Sequence, residues 1–119
     1  MSSPGSRPRA AEARDWRITL PLFISLMRLT QRGLDELHNS PERARISKER
    51  VEKLGGRSIA FYATMGPYDF VQVFEMPDEA RMMEYVLTAR RDGHVEPLIL
   101  PAFDAGDWSA IVNAVTSGK

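Results

Sequence analysis

The chain has 119 residues with no cysteine, and its sixteen Lys and Arg balance sixteen Asp and Glu. A domain of this length buries roughly two thirds of the surface its unfolded chain exposes, so it needs no disulfide or metal staple. The charge balance removes the field that would attract a nucleic acid, and the lack of cysteine excludes thiol nucleophiles, Cys-ligated zinc and iron–sulfur chemistry.

Residues 1–18 read as a flexible tail. Pro4, Gly5 and Pro8 interrupt regular structure, and Arg7, Arg9, Arg14 and Arg17 precede no apolar core of a secretory signal. Glu12 and Asp15 weigh against an organelle-targeting peptide. The longest strongly apolar stretch, Leu20 to Leu29, is about half of a bilayer-spanning helix, so no membrane partner is expected and the location reads as cytoplasmic.

Residues 19–119 are expected to form one domain. Leu22 to Leu29 is short, apolar on both alternating faces and free of Gly, which predicts a central strand. A helical turn with Leu34 and Leu37 follows. Ser40-Pro41-Glu42 then offers a capping hydroxyl, a first-turn proline and a first-turn acid, predicting a helix whose inner stripe is Ala44, Ser47, Val51 and Leu54. Gly55-Gly56 ends it. Two strands, Arg57 to Met65 and Asp69 to Met76, are joined by the turn residues Gly66-Pro67-Tyr68-Asp69. A second helix runs through Ala80, Met83, Val86 and Leu87 to Gly93, with Met82 and Met83 reading as gap-filling core. A fourth strand spans about Val95 to Phe103, and Asp107 caps a last helix carrying Trp108, Ile111, Val112 and Val115.

This order predicts an α+β fold: a ferredoxin-like βαββαβ sandwich with an antiparallel four-stranded sheet and a C-terminal helix. Right-handed crossovers put both main helices on one face of the sheet. The third strand carries Phe70, Gln72 and Phe74 on one side and Val71 and Val73 on the other, so the uncovered face is apolar too. A second copy is expected to cover it, making a homodimer; the alternative is that the C-terminal helix folds back over it.

The run Phe61-Tyr62-Ala63-Thr64-Met65-Gly66-Pro67-Tyr68-Asp69 resembles the Tyr-x-Thr-x-Gly-x-Tyr-Asp hairpin of the GYD domain family. Thr30, Gly33, Ser40-Pro41 and Gly55-Gly56 extend the resemblance over residues 22 to 115. Pro67 departs from the flexible or acidic residue expected there and stiffens the turn. The family is similar to the dimeric α+β barrels, which implies two sheets facing each other across an interior. That wider group includes cofactor-free monooxygenases, isomerases, haem-binding enzymes and effector-sensing modules, so the fold implies no single activity.

Site candidates depend on hairpin register. A four-residue loop puts Tyr62 and Thr64 on the side of Val71 and Val73, under the helices. A three-residue loop puts them beside Phe70, Gln72 and Phe74 on the open face, with Ser25. The second arrangement makes Ser25, Tyr62, Thr64, Phe70, Gln72 and Phe74 the ligand-binding candidates, in a homo-oligomeric binding or sensing module. For a cofactor-independent enzyme using the same cavity, the acid–base candidates are Tyr62, Tyr68, Asp69 and His94. A third reading is a protein-interaction subunit. His38 and His94 lack metal-ligand spacing, so no metal is expected, nor any cofactor. Phe70 and Phe74 also resemble the stacking platform of RNA-recognition modules, but no Lys or Arg is interleaved with them.

Overall fold

The computed structural model describes residues 20–117, and the tail expected over residues 1–18 lies outside them. Residues 21–102 form one compact unit, and the segment from Phe103 onward belongs to a second.

The first unit starts with β1 (Leu22–Leu29), whose lack of Gly and Pro lets it pair along both edges. Thr30 ends it and caps the short α1 (Gln31–Asp35) by accepting the Gly33 amide at 3.1 Å. A 3-10 turn, Leu37–Asn39, leads into α2 (Ser40–Lys53), with Pro41 and Glu42 in its first turn. Next come β2 (Arg57–Ala63), β3 (Phe70–Glu75), α3 (Glu79–Asp92) and β4 (Val95–Ala102). Asp78 caps α3 by accepting the Arg81 amide at 2.8 Å. The sheet is antiparallel in the order β2-β3-β1-β4, the ferredoxin-like arrangement expected from the sequence.

The core joins Phe23 of β1, Phe74 of β3, Val51 of α2, and Met82 and Tyr85 of α3, with Met76. The Phe74 ring lies 6.4 Å from Phe23 and 5.2 Å from Tyr85. Burying each such side chain contributes about 1.5–3 kcal/mol. Both long helices therefore lie on the face that carries Phe23, Ser25, Gln72 and Phe74.

Here the structure corrects the sequence reading. Phe70, Gln72, Phe74 and Ser25 belong to the covered face; the face without a helix of this unit carries Ile24, Leu26, Val71, Val73, Leu98 and Leu100. Both sides of β3 are apolar, and a period of two does not say which side meets the helices. The larger rings of Phe23 and Phe74 fill the gap beneath Tyr85 and Met82. On α3 the inner side is Met82 and Tyr85, while Met83 and Leu87 are exposed.

The hairpin differs as well. Ala63 pairs with Phe70, so the loop holds the six residues 64–69 rather than three or four. Its parity equals that of the four-residue loop, and Tyr62 lies opposite Val71. A register shift between Ser58 and Ala60 leaves Ile59 unpaired in β2. In the second unit, α4 (Ala105–Thr116) is capped by Asp104, which accepts the Asp107 amide at 2.8 Å, not by Asp107 itself. Trp108 and Val115 on this helix are largely exposed.

Candidate functional site

The hairpin motif is a set of braces. The Thr64 hydroxyl donates to the Tyr68 carbonyl at 2.7 Å, and the Thr64 amide to the Asp69 carbonyl at 2.8 Å. The Asp69 carboxylate accepts the Leu29 amide at 2.8 Å, while the Asp69 amide donates to the Met27 carbonyl. Arg28 lies over the Tyr68 ring, 4.9 Å from its centroid, and its Nε donates to the Pro67 carbonyl at 2.8 Å. Together these bonds tie the loop to the end of β1.

The six ligand-binding candidates do not converge. Ser25, Gln72 and Phe74 are buried beneath the helices and Phe70 is half-buried on the same face. Tyr62 lies on the opposite face with 62% of its surface exposed, and Thr64 sits in the hairpin loop. Among the acid–base candidates, Tyr68 and Asp69 belong to the loop, and His94 is on the far side of β1, at the end of α3.

Gln72 has a different environment from the one anticipated. Its Oε1 accepts the Tyr85 hydroxyl at 2.9 Å, with Ser47 of α2 hydrogen-bonded to Tyr85 and 3.3 Å from the same Oε1. Burial pushes the Tyr85 phenol above its ordinary value, so it stays a protonated donor. Ser47 was legible as a polar residue in an otherwise apolar stripe; Tyr85 had no such signal.

Next to this network a cleft of about 270 Å³ opens between α2, α3 and the sheet. Its apolar wall includes Met27, Ala89 and the stacked pair Phe61 and Phe70, whose centroids are 5.3 Å apart. Arg43, Arg50, Asp92 and His94 line it as well. Arg50 is paired with Asp92 at 2.7 Å, whereas Arg43 donates to the carbonyls of Glu36 at 3.0 Å and Gly33 at 3.4 Å. His94 Nε2 is 2.9 Å from Glu36 Oε1, and the hydrogen bond from His94 holds the Glu36 carboxyl below its usual range. His94 Nδ1 and Ser25 Oγ are buried without a partner among the described residues.

The face of the sheet opposite α2 and α3 is apolar. Leu98 is 46% and Leu100 40% exposed, next to Ile24 and Leu26 on β1, with Val71 and Val73 beyond. Among the described residues no group of three His, Cys, Asp or Glu could hold a metal ion, and no helix is long and apolar enough to cross a membrane.

Comparison with known proteins agrees with the hairpin motif. The family model for the GYD domain matches residues 23–112. A protein of Thermus thermophilus named "Glutamine synthetase and cystathionine beta-lyase binding protein" is 37% identical over 92 residues, covering 76% of this chain and 97% of that protein. No solved structure matches.

Proposed function

Because the chain belongs to the GYD domain family, we propose that it is a protein-binding module that docks an enzyme through the face of its sheet opposite α2 and α3. The observation that carries this reading is the exposed apolar row of Leu98 and Leu100, continued by Ile24, Leu26, Val71 and Val73. Large apolar patches on soluble proteins mark interaction surfaces. The Thermus relative, named for binding two enzymes, supplies the kind of partner. A cytoplasmic location goes with this reading.

A homodimer through the same face is the competing reading, since a two-fold axis would bring one apolar sheet against its copy. A ligand-sensing or enzymatic role for an inter-sheet cavity has less support, because Ser25, Gln72 and Phe74 are buried on the other side. Asp69 is engaged by the Leu29 amide.

The test is to measure binding of the purified chain to glutamine synthetase and cystathionine beta-lyase from its host, with sedimentation of the chain alone. Saturable binding by a monomer, lost in Leu98→Glu and Leu100→Glu without loss of fold, supports enzyme docking. A dimer that the same substitutions dissociate, with no enzyme bound, moves the face to self-association. Binding that survives both substitutions overturns the assignment of this face.

A further inference from the structure

The cleft on the helix side of the sheet has features that a protein-docking role for the opposite face does not use. We propose that it binds a small carboxylic acid with an apolar body and a hydroxyl or amino group beside the carboxylate.

Size and walls set the body. At about 270 Å³ the cleft is close to the smallest small-molecule sites and fits a single ring or a branched chain. Met27, Ala89 and the Phe61–Phe70 stack offer it apolar contact.

Charge sets the head group. Arg50 already has a carboxylate, Asp92. Arg43 has none within ion-pair distance among the described residues, and the carbonyls of Glu36 and Gly33 hold its guanidinium in place. A guanidinium fixed this way keeps donors for an incoming carboxylate, and its planar fork matches that geometry.

His94 sets the third feature. The ionised Glu36 carboxylate can only accept, so the proton between them is on His94 Nε2. Nδ1, the other ring nitrogen, is buried without a partner among the described residues, in a residue that lines the cleft. A buried polar atom is costly to leave unpaired, so a ligand hydroxyl or amino group that meets Nδ1 is favoured over an unsubstituted acid.

Titration of the full chain with 3-phenyllactate, phenylalanine, phenylacetate and benzyl alcohol, followed by amide NMR shifts and calorimetry, tests the proposal. The expected result is binding of phenyllactate or phenylalanine with shifts at Ser47, Ala89 and Val95. Which of the two binds more tightly identifies the hydroxyl or the amino form. Phenylacetate should bind about tenfold more weakly, because Nδ1 is left unpaired. Arg43→Gln should weaken the acid about tenfold. His94→Phe should erase the preference over phenylacetate. Arg43 also braces α1, so Ala89→Leu, which narrows the chamber without touching a polar group, serves as the second variant and should abolish binding. No shift in the cleft with either acid, benzyl alcohol binding as tightly as the acids, or unchanged binding to Ala89→Leu would overturn the proposal.

Discussion

The carboxylate of Asp69 accepts the main-chain amide of Leu29 across forty residues of sequence, at 2.8 Å. The last residue of the hairpin loop thereby holds the last residue of the central strand. A hydrogen bond to a charged acceptor is typically worth about 1.5–3 kcal/mol. Asp69→Ala is expected to lower the unfolding free energy by about that amount in urea titration, while Asp69→Asn, which keeps one acceptor oxygen, loses less. A stable Asp69→Ala variant would return this residue to the catalytic candidates.

Gly33 packs against the main chain of His94. A Cβ there would lie 2.2 Å from the His94 carbonyl oxygen and 3.0 Å from Leu29 Cδ2. Backbone cannot yield as a side chain does, so Gly33→Ala should cost about 3 kcal/mol through overpacking. Gly66 has φ +107° but no atom within 4 Å of its would-be Cβ, so Gly66→Ala should cost only the conformational penalty, about 1–2 kcal/mol. Melting temperatures of the two variants should rank in that order.

Tyr85→Phe removes the donor to Gln72 Oε1 and leaves that buried amide with Ser47 alone at 3.3 Å. A loss of about 1–2 kcal/mol is expected. The triple replacement Ser47→Ala, Gln72→Leu, Tyr85→Phe should recover part of it, because an apolar group in each place leaves nothing unsatisfied. Denaturant midpoints of the single and triple variants provide the check.

Glu36 predicts a pH dependence. Its folded-state carboxyl sits below the ordinary value, first because of the hydrogen bond from His94. A depressed carboxyl adds stability above its unfolded pKa, and that stability is lost as the pH falls through the folded value. Glu36→Gln should therefore be less stable than the parent at neutral pH, with the gap closing below the carboxylate range. The side chain is 42% exposed, so the effect is small and is best read from paired urea midpoints at several pH values.

The fold was legible where one local signal was unopposed. A short run apolar on both alternating faces and ended by Thr30 marked β1, and Pro41 with Glu42 marked the start of α2. Where signals competed, the reading failed. Met82 and Met83 are adjacent and equally apolar, so helix α3 could be turned by one position, and a tyrosine rather than Leu87 faces the core. The two sides of β3 are nearly equal in apolar character, which reversed the faces and scattered the ligand candidates. The cleft was not legible at all, because Arg43, Phe61, Tyr85 and His94 come from separate segments that only the tertiary fold brings together. The Thr64 bond to the Tyr68 carbonyl, in contrast, follows from ordinary turn chemistry, whereas the Asp69 bond to Leu29 reaches a strand forty residues away.

The Ser47, Tyr85 and Gln72 network takes one member from each of α2, α3 and β3. Such a three-way polar joint leaves little freedom for single replacements, since losing one member strands the other two in the interior. Divergent descendants of this chain should change it as a set, exchanging all three for apolar residues or retaining all three. These positions could then serve as an ancestral watermark, marking distant relatives whose hairpin sequence has drifted past recognition.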